Sequence, residues 1–271
     1  GGSAASTPTN QAGSSFAADY SIPSYFAKNI VFEGQFEFSG INRAGNFLTL
    51  GACFGGKIDG LTTYGRAIFS CNGLSNFDLV NIRGSFWDKG VELVDGAWNV
   101  RCADWTIWSD PDAAKNNRGD QPIIKTASSL FFKNITILIN NRSNIVPSCI
   151  YLNGFNNVLD NIAIHNKGVI TSSTAFIADN NVAYASSKPN IVKNSLFITA
   201  ETMPNGYVTL SNTTNPGTVS IIENCTFKGP VGTDSVRART YCEIKNSYFE
   251  QGRLLVNSNC TITNNTFFAL S

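Results

Sequence analysis

The phrase SIIENCTFKG at residues 220–229 returns in shortened form as IVKNSLFIT at 191–199, EIKNSYFEQ at 243–251 and TITNNTFFA at 261–269. Each copy centres on an asparagine followed three residues later by phenylalanine: Asn194 with Phe197, Asn224 with Phe227, Asn246 with Phe249, Asn264 with Phe267. The frame continues upstream with isoleucine, through Asn161 with Ile164, Asn134 with Ile137 and Asp104 with Ile107, and more loosely through Asn81. Asn29, followed by Phe32, and the IDGL around Asp59 read as the earliest copies. From Asn81 to Asn264 the anchors step by 23, 30, 27, 33, 30, 22 and 18 residues. A helical solenoid holds its period more tightly, whereas coils of short strands accept connecting segments of any length. No segment of useful length repeats apolar residues at spacings of three and four, so amphipathic helices are excluded.

The residues around the anchor define the kind of coil. Two positions before it stand Leu79, Cys102, Phe132, Leu159, Val192, Ile222, Ile244 and Ile262. One position after it stand Ile82, Trp105, Ile135, Ile162, Ser195, Cys225, Ser247 and Asn265, and the apolar column resumes at plus three. Strand side chains alternate with period two, so inward positions at minus two and then plus one and plus three mean that the parity switches at the anchor. The asparagine is therefore a corner. It tolerates a left-handed backbone better than other non-glycine residues, and its amide can bond to the asparagine stacked one coil away. These columns resemble the right-handed parallel β-helix of pectate lyases and phage tailspikes, over roughly residues 29–267. The resemblance implies an all-β, single-stranded solenoid of eight or nine coils with an asparagine ladder along one corner. Residues 1–20 open with GGSAASTPTNQAGSS and read as an expression scar and linker, with the β-helix domain spanning 21–271.

Composition narrows the partners. A net charge of +1 with 14% charged residues offers no basic stripe for nucleic acid. No run approaches the ~18 apolar residues of a membrane span, and no signal peptide is expected. A neutral surface rich in hydroxyls and amides suits a hydrated ligand such as a glycan. The seven cysteines, at 53, 71, 102, 149, 225, 242 and 260, are odd in number, contain no CxxC pair and fall largely in inward columns. They read as small buried hydrophobes ahead of disulfide partners or metal ligands. Of six sequons, those at Asn134, Asn224 and Asn264 use ladder residues, where a glycan would break the stack. Both features point to folding in a reducing, non-glycosylating cytoplasm.

The fold hosts several chemistries, so function has to come from side chains. Resemblance to pectate lyases implies a calcium site of clustered acids, and none stacks in the ladder frame. Resemblance to polygalacturonases implies NTD, DD, GHG and RIK motifs, all missing. The single histidine, His165, sits in AIHNKG one residue past the inward Ile164 and reads as an outward surface residue. It has no serine elbow to serve.

All four tryptophans, Trp87, Trp98, Trp105 and Trp108, fall in one short segment with Asp88, Glu92, Asp95, Asp104, Asp110 and Asp112. Tryptophan faces stack on sugar rings, and glycoside hydrolysis uses two carboxylates about 5 Å apart for retention or roughly 6.5 to 9.5 Å for inversion. Asp88 lies seven residues after Asn81, while Asp110 and Asp112 lie six and eight after Asp104, one coil on. Asp88, Asp110 and Asp112 are the catalytic candidates; Trp87, Trp108 and Glu92 are the substrate-binding candidates. The competing reading makes Trp105 core, Trp98 a cap on the stack, and SDPDAAKNNRGDQ at 109–121 a solvated loop whose acids start turns.

The resulting expectation is a phage tailspike or tail-fibre domain, made in the host cytoplasm and carried on the virion tail. It recognises a bacterial surface polysaccharide, O-antigen or capsule, with hydrolysis of that polymer as its reaction. No cofactor or metal is expected, and the resemblance implies a parallel homotrimer without membrane insertion. The alternatives are a non-catalytic adhesin or structural module and, behind it, a polysaccharide lyase.

Overall fold

A computed structural model describes residues 15–16, 27–39, 46–51, 53–65, 67–86, 91–94, 97–109, 122–126, 129–140, 148–167, 175–179, 189–200, 206–210, 219–231, 234–238 and 241–269. These form two parallel sheets, one of ten strands and one of fifteen, between which the chain alternates as it climbs. The fold is an all-β parallel β-helix. Ten strands in the first sheet mean ten rungs, one or two more than the repeats suggest. The extra rungs lie at the start of the chain, where the anchor motif is weakest. Ser15 and Phe16, inside the segment assigned to the linker, pair in parallel with Thr49 and Leu50.

The corner is where the anchors place it. Asn81, Asp104, Asn134, Asn161, Asn194, Asn224, Asn246 and Asn264 all have positive φ, between 51° and 62°. Corner amides reach down the rod: Asn134 Nδ2 donates to Asp104 Oδ1 at 2.8 Å and Asn161 Nδ2 to Asn134 Oδ1 at 2.8 Å. Asn224 Nδ2 donates to Asn194 Oδ1 at 3.2 Å. Between Asn161 and Asn194 the ladder jogs by one residue, because Asn194 Nδ2 donates to Asp160 Oδ1 at 2.7 Å.

Two early anchors need correction. Asp59 pairs with Val80, so the corner of its rung is Gly60, with φ 86°; Asp59 is the residue before it and accepts from Asn81 at 2.6 Å. Asn29 lies opposite Gly55, which lies opposite Asn76. That column is a second corner, five residues before the first. Asn76, Asn99, Ser129, Asn156, Tyr241 and Asn259 all have positive φ there. Asn99 Nδ2 donates to Asn76 Oδ1 at 2.6 Å, and Asn156 Nδ2 to Ser129 Oγ at 3.0 Å.

Inside the rod the columns stack by residue type. Phe197, Phe227 and Phe249 are fully buried, with ring centroids 5.2 and 4.9 Å apart and planes within 18° and 10°. Tyr207, from the opposite sheet, lies 5.4 Å from Phe176 and 6.2 Å from Phe227. Its phenol fills the space beside Gly229, where a Cβ has no room. The plus-one column turns polar towards the end of the chain for a reason visible in its bonds. Turning the backbone at the corner leaves N–H and C=O groups to satisfy, and buried ones are costly unpaired. Ser195 Oγ accepts from the Ile162 N–H and donates to Lys193 O; Ser247 Oγ does the same between the Cys225 N–H and Lys245 O. Buried Asn157 and Asn190 also bond to each other, Nδ2 to Oδ1 at 3.1 Å. At the last rung the interior columns open: Phe267 is 53% exposed although it stacks 4.8 Å from Phe249.

Candidate functional site

The alternation of the strand Trp98–Ser109 separates the tryptophans. Trp105 points inward, is buried, meets Phe132 edge-on at 6.4 Å and donates Nε1–H to Leu79 O at 2.9 Å. Trp98 opens the strand more than half exposed, opposite Ser75. Trp108 faces outward and is half-buried. On its own column it stands opposite Ser85 below and Leu138 above, followed by His165, Ile198, Lys228 and Glu250. The neighbouring outward column runs Arg83, Thr106, Thr136, Ala163 and Leu196. Small threonines and an alanine between bulkier columns make a shallow face with Trp108 and His165 along its edge. His165 is an outward residue, as its place after Ile164 implies.

Glu92 stands elsewhere. It lies on the ten-stranded sheet, whereas Trp108 lies on the fifteen-stranded one. The Glu92 carboxylate pairs with Lys125 Nζ on the next rung at 3.4 Å, and Tyr151 follows above Lys125. Burial raises the Tyr151 hydroxyl above its ordinary value, and the Asp179 charge adds to that. Trp87, Asp88, Asp95, Asp110 and Asp112 lie outside the described residues. What is described is where their segments begin: Phe86 and Ser109 pair as the last residues of the strands Arg83–Phe86 and Trp98–Ser109. The strands that precede 87–90 and 110–121 therefore end on adjacent rungs, on the sheet that carries Trp108.

Charges on the described surface are mostly engaged. Lys133, Asp160, Lys193, Glu223 and Lys245 alternate in sign along one outward column, with Lys193–Asp160 at 3.5 Å and Lys245–Glu223 at 4.0 Å. Exposed pairs of this kind contribute little individually, but the alternation removes the repulsion that stacking identical charges would bring. Asp234 is a different case, since its side chain is buried. Burial by itself raises its carboxyl, and hydrogen bonds from Arg253 and Arg237 outweigh that and hold it below the usual carboxylate value. Its two arginines come from its own strand and the next rung, which marks it as a structural clamp. Among the described residues no group of three or more His, Cys, Asp and Glu is placed to hold a metal ion, and no helix is long and apolar enough to cross a membrane. Cys53, Cys102, Cys149, Cys225 and Cys242 are buried free thiols, and Cys260 is a half-buried one. Burial pushes Cys53 up to about 11 and Cys225 up to about 12, so neither is a nucleophile at neutral pH.

No protein-family profile and no curated protein matches the chain. Among solved structures, the catalytic domain of a GH87 alpha-1,3-glucanase in complex with tetrasaccharides is similar at 11% identity and a TM-score of 0.35, covering 90% of this chain. The chain spans 61% of that structure's length.

Proposed function

We propose that this chain is the β-helix domain of a phage tailspike or tail fibre that recognises a bacterial surface polysaccharide and hydrolyses it. The observation that carries the reading is the pairing of two strand ends beside an outward tryptophan: Phe86 against Ser109, with Trp108 one residue before the second end. Adjacent parallel rungs stand ~4.8 Å apart and alternate rungs twice that. Glycosidases hold their two carboxylates about 5 Å apart for retention or roughly 6.5 to 9.5 Å for inversion. In this reading Asp88 and one of Asp110 or Asp112 form the acid–base pair, and Trp87 or Trp108 holds a sugar ring. Intracellular folding is supported by Asn134 and Asn224, sequon residues whose amides are already spent in the ladder. The assembly is a parallel homotrimer. Its support is an outward strip of Phe131, Val158, Ile191 and Ile221 on successive rungs, the first of them 41% exposed. Light scattering that reports a monomer at micromolar concentration counts against the trimer.

A second reading, recognition without cleavage, is favoured by the ion pairs. Asp78, Glu92, Asp160, Glu223, Asp234 and Glu250 are each held by a lysine or arginine, which ties up these six carboxylates. Incubation with a panel of capsular and O-antigen polysaccharides separates the readings. Hydrolysis releases new reducing ends, a lyase leaves an unsaturated product absorbing in the ultraviolet, and binding alone shifts the polymer on the protein without shortening it. Absence of both binding and cleavage across the panel removes the polysaccharide reading.

A further inference from the structure

Phe54 is 51% and Trp98 53% exposed, and neither belongs to the face that carries Trp108. Trp108 comes ten residues after Trp98 on the same strand, beyond the corner at Asp104. The two exposed rings share one column, with Phe54 opposite Ser75 and Ser75 opposite Trp98. Each of the three comes directly before a left-handed residue of the second corner: Gly55, Asn76 and Asn99. Further along, the pairing of Phe131 with Val158, counted back past Leu130, sets Ser129 opposite Asn156, and their side chains bond at 3.0 Å. Half-buried Phe155 is therefore the residue before the corner two rungs beyond Trp98. The rung between them has Ser128 at that place in the sequence, outside the described residues. Aromatic residues thus recur at this corner on every second rung, with ~9.6 Å between their backbones at ~4.8 Å per rung.

The surroundings of the rings decide what they fit. A protein partner is met by a contiguous apolar patch with few polar groups at its centre. Here a serine separates Phe54 from Trp98, and the corner adds amides beside them, Asn99 Nδ2 donating to Asn76 Oδ1 at 2.6 Å. An amide offers two hydrogens and two lone pairs, so this one bond does not exhaust exposed Asn99. Charges on the same strands are paired, Lys57 with Asp59 at 2.8 Å and Arg101 with Asp78 at 3.1 Å. Separate ring faces rimmed by hydroxyls and amides match a ligand whose own apolar faces are separate and rimmed by hydroxyls, which is the chemistry of a neutral glycan. We propose that Phe54 and Trp98, with Phe155 continuing the line, form a second glycan-binding track along this corner. It takes a neutral polysaccharide, with a sugar ring on each aromatic face and the chain bridging the serine between them. The track rests on the polysaccharide reading for its ligand and is independent of the acid–base pair. It binds without cutting, and on a surface dense with the polymer two contacts hold the rod longer than one.

The test runs the protein through native gels cast with each of a panel of neutral capsular and O-antigen polysaccharides and reads Kd from the retardation. Phe54→Ala and Trp98→Ala should each raise Kd by about three- to tenfold, and the double variant by about tenfold or more. Trp98→Tyr, which keeps a ring face, should stay within about threefold of the wild type. Both side chains are exposed, so the thermal midpoints should hold. Unchanged retardation of the double variant where Trp108→Ala is weakened overturns the track and leaves the polysaccharide reading standing. Weakening in the double variant with no effect of Trp108→Ala supports the track and removes the sugar contact from the other face. Equal losses in Trp98→Tyr and Trp98→Ala overturn the ring contact. A wild type that no polysaccharide retards overturns both readings, and a double variant that loses self-association in sedimentation without any change in retardation overturns the track in favour of contact between copies.

Discussion

Phe227→Ala should lower the unfolding free energy by about 3 to 5 kcal/mol, the range for deleting a fully buried phenylalanine. Phe227 lies between Phe197 and Phe249 at 5.2 and 4.9 Å and also meets Tyr207. Its removal therefore empties the joint between three rungs instead of one pocket. In a solenoid each coil is held mainly by its neighbours, so the loss should appear as uncoupling. The coils from Ser220 onward should melt ahead of the rest in a denaturant titration followed by hydrogen exchange. Phe267→Ala is the internal comparison. It occupies the same column but is half-exposed at the rod's end, so its effect should stay within about 1 kcal/mol. If Phe227→Ala costs no more than Phe267→Ala, the stack is not what holds these coils together.

The stacked interior was legible in the sequence because a solenoid imposes the same environment on every rung. Phe197, Phe227 and Phe249 answer to one column, and so do the left-handed corners from Asn81 to Asn264. The second corner carries the same signal five residues earlier, in Asn76, Asn99, Asn156 and Asn259. It is diluted by Ser129 and Tyr241, which hold positive φ without being asparagine. Asn29 was drawn into the wrong corner for that reason, since it too is an asparagine with an aromatic three residues on. At Gly60 the corner used the one residue with no side chain to announce it, which left Asp59 as the visible acid. The candidate site was far less legible. Trp105 and Trp108 are three residues apart and look alike in the sequence, and strand parity sends one to the core and the other outward. The segments 87–90 and 110–121 carry no copy of the anchor phrase, and register places only the strand ends before them, where Phe86 meets Ser109.

Asp88→Asn should reduce turnover of the polysaccharide by about 10² to 10⁴, the contribution of a positioned general acid or base. The substitution keeps the side chain's size and hydrogen bonding and removes the exchangeable carboxyl proton, so folding and glycan binding should be retained. Asp88 lies two residues beyond Phe86 and Asp110 one beyond Ser109, and Phe86 and Ser109 pair on neighbouring rungs. Trp108→Ala tests the other half of the site. An aromatic contact contributes about 0.5 to 1.5 kcal/mol beyond its buried area, and each 1.4 kcal/mol is about tenfold in Kd. Binding should therefore weaken by up to about tenfold, while the rate at saturating polysaccharide changes little. That contrast, one variant losing rate and the other affinity, separates chemistry at Asp88 from recognition at Trp108. Full turnover in Asp88→Asn places the acid in a different groove, and a wild-type protein that binds the polymer without shortening it leaves the rod a receptor-binding module.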